Sequence, residues 1–170
     1  MNTAVGWKVR FERLYEAERD LVFNYVKGIL RDSDMADDCT IEAFEEAFKS
    51  MKKGQVDQPT RAWIMTIARH RAYRHGKSRN WLASLSDHSD LPVDAKVDRK
   101  LMAEAELQTL LEPLNKEERE AIFMHDGLGL THQEIGDIVG APLGTVLARI
   151  FRGRKKIQLL LKEEHADVAV

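Results

Sequence analysis

The chain has 170 residues, 44% hydrophobic and 32% charged, which excludes a disordered composition and allows a core without a metal or disulfide staple. One cysteine, Cys39, excludes an intramolecular disulfide and a CxxC pair. The start of the chain lacks an apolar signal core, and no apolar run reaches the roughly 20 residues of a membrane span, so a reducing, cytoplasmic setting is expected. The formal net charge of −2 would argue against nucleic acid if the charge were evenly spread, and it is not. Residues 61–81 carry six basic and no acidic groups, residues 143–162 do the same, and the rest of the chain is acidic. Phosphate responds to local charge rather than to the net.

In chain order the pattern is helical throughout. Apolar residues recur at three- and four-residue steps from Phe11 to Leu30, the mark of an amphipathic helix. Asp32-Ser33-Asp34 breaks it and offers an N-cap for a second helix, about Asp34 to Met51. That helix has an apolar stripe of Ala36, Cys39, Thr40, Ala43, Phe44, Ala47, Phe48 and Met51. Its opposite face holds Asp38, Glu42, Glu45, Glu46 and Lys49. After a loop from Lys52, Pro59 precedes a third helix, about Thr60 to Lys77. Residues 80–98 are polar, acidic and aperiodic, and read as a linker. Helix resumes near Ala95. Asn115 with Glu118 suggests a capping box, Thr131 with Glu134 a second, and Gly140-Ala141-Pro142 a turn before a final helix, about Leu143 to Glu163. The expected fold is all-α: two small helical domains, residues 1–79 and 99–170, joined by a flexible acidic linker, the second a helix-turn-helix.

Two constellations carry function. Thr131 to Ile157 has helix-turn-helix spacing, with Ile135 and Ile138 on the first helix and Val146, Ile150 and Ile157 facing inward on the second. Thr145, Arg149, Arg152 and Lys156 align on one side of that second helix, where arginine forks onto guanine edges or clamps phosphates. The third helix sets Arg69, His70, Arg71, Arg74 and Lys77 beside Trp63 and Tyr73. Cations with stacking platforms suit single-stranded nucleic acid. Either island alone reads as a solvated basic helix face, and Trp63 alone as core.

Four stretches resemble the bacterial sigma factors of the extracytoplasmic-function (ECF) group: residues 36–44 the polymerase-binding helix, 61–69 the promoter-melting helix, 114–122 the start of the C-terminal domain, and 140–146 the start of the recognition helix. The resemblance covers roughly residues 8–163. It implies a promoter-specificity factor for core RNA polymerase. Asp37, Asp38, Glu42 and Phe44 would lie in the clamp contact. Lys53, Trp63, Arg69, His70, Arg71, Arg74 and Lys77 would lie at the minus-ten element, with the loop from Lys52 to Pro59 helping to pocket a flipped base. Thr145, Arg149, Arg152, Arg154 and Lys156 would lie at the minus-thirty-five element. An anti-sigma factor is implied as a further partner. Ile41 departs from the usual glutamine, His70 from asparagine, Arg74 from aspartate, and Leu147 and Ala148 from lysine and serine. Two other readings stay open: a sigma mimic that titrates an anti-sigma factor, and a helix-turn-helix regulator of duplex DNA.

Other chemistry is sparse. Cys39 sits on an apolar stripe and reads as a structural thiol. The histidines show no i, i+4 pair and no HExxH, so no metal is expected. Gly127-Leu128-Gly129 lacks a dinucleotide fingerprint, and there is no Walker lysine and no catalytic triad. The expectation is a non-enzymatic protein without cofactor, membrane insertion or small-molecule substrate.

Overall fold

The computed structural model describes residues 3–78 and 110–167. Among them all regular structure is helical, in the order α1 (Thr3–Leu30), α2 (Ser33–Lys52), α3 (Arg61–Ser78), α4 (Lys116–Ile122), a π-helical turn (Phe123–Gly127), α5 (His132–Val139) and α6 (Leu143–Asp167). The chain divides into two compact units, Met1–Ser86 with Gln133–Ala141, and Asp87–His132 with Pro142–Val170. The expected linker at 80–98, and the expected boundaries on either side of it, lie outside the described residues.

Local signals set the helix ends. Asp32 caps α2, its Oδ1 accepting the Met35 N–H at 3.0 Å, which satisfies one of the otherwise orphaned first-turn donors. Thr60 does the same for α3, its hydroxyl accepting the Trp63 N–H at 3.2 Å. The expected capping box at α4 is present. Asn115 Oδ1 accepts the Glu118 N–H at 2.9 Å and the Glu118 carboxylate accepts the Asn115 N–H at 3.2 Å. α6 begins after Gly140, whose φ of 67° is the left-handed conformation that glycine adopts without strain.

α1, α2 and α3 pack pairwise. α1 contributes Val22, Tyr25 and Val26, α2 the predicted stripe, and α3 Ile64, Met65, Ala68 and Ala72, all buried. Phe48, placed on the α2 stripe by its spacing, is the exception at 38% exposure. It closes the rim of the α1–α2 contact by edge-to-face packing on Trp7 and Phe11, with centroids 5.1 and 5.2 Å apart. Two ion pairs pin α1 to the α2–α3 connection and the start of α3: Arg10 to Asp57 at 2.7 Å, and Arg61 Nε to the nearly buried Glu18 at 2.9 Å. The Glu18 carboxylate raises the Arg61 pKa.

In the second unit α4 packs against α6. They approach closely at Gly153, where an added Cβ would run into Ile122 Cδ1 and lie 3.4 Å from Leu114 Cδ2. The buried side of α6 is therefore Val146, Ile150 and Gly153, with Ile157 half-buried. The π-helical turn widens the chain after α4, Leu128 N–H bonding Phe123 O at 3.1 Å, and leads to the buried Leu130.

Candidate polymerase and nucleic-acid interfaces

The outer face of α2 divides into a free part and a paired part. Asp37 and Asp38 are exposed and make no ion pair among the described residues. One turn on, Ile41 is 57% exposed, and beyond it the exposed Glu45 pairs with Lys49 in its own helix, at 3.5 Å. Free carboxylates around an exposed branched apolar residue make a surface suited to a basic partner with an apolar patch. Ile41 belongs to this surface, although its spacing in the sequence gave it no role. Glu42 and Glu46 instead face α3. Arg71 spans both, Nη1 to Glu42 at 3.1 Å and Nη2 to Glu46 at 2.6 Å, and His75 Nε2 lies 3.1 Å from the same Glu42 oxygen. The His75 hydrogen bond, with Arg71 beside it, holds the Glu42 carboxyl below its usual pKa despite some burial, and Glu46 raises that of Arg71.

Phe44 lies inside the fold rather than on this exposed surface. It is 3% exposed, with its ring edge-to-face on Tyr15 at 4.9 Å and on Phe11 at 6.4 Å. Phe44 thus builds the α1–α2 core.

The basic island on α3 also divides. Arg71 is spent on the two α2 carboxylates. Arg74 and His70 are exposed and unpaired among the described residues. The Arg69 guanidinium lies 4.9 Å from the Tyr73 ring centroid, a cation–π contact that leaves its charge in place. Trp63 is half-buried and Lys53 is exposed on the loop. The Lys77 side chain lies outside the described residues. Trp63, Arg69, His70 and Arg74 thus share one helix, and among them Arg74 is an exposed cation without an ion pair among the described residues; Arg71 is already paired.

α5, the Gly140 turn and α6 follow in helix-turn-helix order. On α6, Arg149 makes no ion pair or hydrogen bond among the described residues, and Thr145 is half-buried. Arg152 and Lys156 both turn to Glu118, with Nε at 3.4 Å and Nζ at 2.7 Å. Arg154 forks onto Asp126, Nε to Oδ2 at 3.1 Å, on the far side of α6 from Arg149. Leu143, Leu147 and Phe151 form an exposed apolar row, Phe151 at 68%, and nothing in the charge pattern marks it.

Burial raises the Glu118 pKa, but Lys156, the Asn115 N–H and Arg152 together outweigh that, and the net direction is down. The Arg154 fork lowers that of Asp126. A depressed folded-state pKa contributes stability that is fully present above the unfolded value, about 4 for carboxylates, and is lost as pH falls through the lower folded value. Stability is therefore expected to fall below about pH 4, and Asp126→Asn to flatten that acid-side slope. Urea midpoints measured by circular dichroism across the acid range check this; an unchanged slope would mean that the Arg154 pair does not persist in solution.

Comparison with known proteins decides the family. Residues 14–82 match the model for Sigma-70 region 2, and residues 104–157 match that for Sigma-70, region 4. The chain is 27% identical over 157 residues to the ECF RNA polymerase sigma factor SigC of Mycobacterium tuberculosis, covering 91% of this chain and 84% of that one. It is 28% identical over 169 residues to the RNA polymerase sigma factor CarQ of Myxococcus xanthus, covering 96% of each. The chain belongs to the ECF sigma factors. Its fold is shared with solved sigma structures: RpoE of Bartonella quintana in complex with the anti-sigma factor NepR (TM-score 0.62, 20% identity, 89% of this chain and 96% of that one), and CnrH in complex with the cytosolic domain of CnrY (TM-score 0.67, 20% identity, 90% and 88%). As a sigma factor the protein directs core RNA polymerase to promoters. Its region-2 match spans the α2 and α3 surfaces described above, and its region-4 match spans α4 to the middle of α6. Among the described residues no helix is long and apolar enough to cross a membrane.

Proposed function

We propose that this sigma factor divides its contacts among three helical faces. The outer face of α2, with Asp37, Asp38 and Ile41, docks on core polymerase, and Glu42 supports it from the side through Arg71. The α3 face with Trp63, Arg69, His70 and Arg74, together with Lys53 of the preceding loop, holds the melted minus-ten strand. α6 enters the minus-thirty-five duplex with Thr145, Arg149 and Arg152. The domains are residues 1–79 and 99–170, with 80–98 between them. The protein works in the cytoplasm and has no catalytic group of its own; the polymerase does the chemistry. An anti-sigma factor is a partner, as it is for the two neighbours solved in such complexes.

The observation that carries this reading is the separation of charge. Among the described residues, Asp37 and Asp38 of α2, Arg74 of α3 and Arg149 of α6 make no ion pair, while Arg71 is held by Glu42 and Glu46. Reconstitution with core polymerase tests it. Asp37→Lys with Asp38→Lys should weaken core binding at least tenfold, since two attractive contacts become repulsive, while thermal stability stays put. Unchanged core affinity would show that these acids are merely solvated. Core binding without a transcript from any promoter in a genome-wide run-off would favour the decoy.

A further inference from the structure

Glu118 is the most deeply buried carboxylate among the described residues, at 2% exposure, and three groups hold it: the Asn115 N–H, Arg152 Nε and Lys156 Nζ. The first belongs to the helix cap. The other two come from a turn and a half of α6, more than 30 residues along the chain, and lie on the side that carries Arg149. Lys156 is drawn in further by the Pro113 carbonyl at 3.3 Å. Moving either cation onto a DNA phosphate would leave a buried carboxylate short of a counter-charge, and an exposed phosphate contact does not repay that desolvation. The pairing also leaves work for Arg152. Glu118 takes one edge of the guanidinium through Nε, and the two terminal nitrogens carry no partner among the described residues. Side-chain exposure of 56% keeps them open to solvent.

We propose that Glu118 is a positioning residue for the recognition helix, an internal counter-anion that cancels the pull of Arg152 and Lys156 on DNA phosphate while holding the Arg152 fork toward base edges. α6 then meets duplex DNA with fewer effective cations than its sequence carries. Phosphate attraction is the sequence-independent part of binding, so reducing it lets base contacts count for more. This rests on the assignment of α6 to the minus-thirty-five duplex.

The discriminating variant is Glu118→Gln, which can still accept the cap hydrogen bond but carries no charge. The assay is fluorescence anisotropy of the full chain on a mixed-sequence duplex, from low to physiological salt. Each freed phosphate contact adds about 0.9 to the slope of log affinity against log salt. Glu118→Gln should bind this duplex more tightly and steepen the slope by about one to two. In an Arg152→Ala, Lys156→Ala background the same change should do nothing. An equal slope in a folded Glu118→Gln protein overturns the inference, because a mere cap would not move it. Should that variant unfold, the comparison is made with Glu118 in place: Arg152→Ala and Lys156→Ala should each flatten the slope less than Arg149→Ala, and equal losses overturn the inference. If neither the wild-type chain nor its polymerase complex binds duplex DNA, the assignment of α6 itself has failed.

Discussion

Phe44→Ala is expected to destabilise the N-terminal unit by about 3–5 kcal/mol, the usual cost of emptying a buried aromatic site. The ring is almost wholly buried and is gripped edge-to-face by Tyr15 and Phe11. Its removal takes the transfer energy of the ring and the edge-to-face contacts together, and α1 and α2 are too closely spaced by Ala36, Ala43 and Ala47 to collapse into the gap. Because two units can melt separately, the full chain should show one shifted urea transition and one unshifted, followed by circular dichroism. Polymerase binding should fall only as far as the unfolded fraction requires, and Phe44→Leu should retain most of it. A Phe44→Ala protein of normal stability that fails to bind polymerase would instead place the ring in the interface.

The second large effect is expected at Gly153. It lies inside α6, where glycine costs about 1 kcal/mol relative to alanine, so a reason for its presence is needed. The reason is contact: α4 sits so close that a Cβ would meet the end of the Ile122 side chain. Alanine asks only for rotation of one methyl-bearing arm, and the gain in helix propensity opposes the crowding, so Gly153→Ala should stay within about 1 kcal/mol of wild type. Leucine has no such escape. Its branch would have to occupy the volume of Ile122 and Leu114 at once, and Gly153→Leu should cost about 1–3 kcal/mol or more by overpacking. It should also tilt α6 off α4 and lower upstream promoter affinity while the N-terminal transition stays where it is. Thermal melts paired with duplex binding check both variants; a Gly153→Leu protein as stable as Gly153→Ala would show that the α4–α6 contact is looser than the structure has it.

The helices themselves were legible because their information is local. The α2 stripe, the Asn115–Glu118 box and the Gly140 turn are each written within a few residues, and each is found where periodicity and capping place it. What spacing did not reveal is how charges pair across the fold. A count of six cations on each island treats Arg71 and Arg74 as equals, and likewise Arg149 and Lys156. The fold separates them by bringing Glu42 and Glu46 to the first and Glu118 to the last, across 25 to 38 residues of chain. The same limit explains Phe44. The motif around it marks a partner-binding helix, but only the position of α1 says which side of that helix is already occupied. Ile41 is the converse, an apolar residue that stands in the open because its place on α2 lies off the buried stripe.

Cys39 gives this architecture an internal clock. It is the chain's sole thiol, has no exposed surface, and is pushed up to about 12 by burial and then by the nearby Glu42 charge. The reactive species is the thiolate, so a thiol reagent finds nothing to attack while α1, α2 and α3 are closed on one another. Labelling proceeds only through moments when the three helices part. Its rate therefore counts those openings, one site per molecule and without a mutation, and a partner that clamps or pries the N-terminal unit will slow or quicken the count.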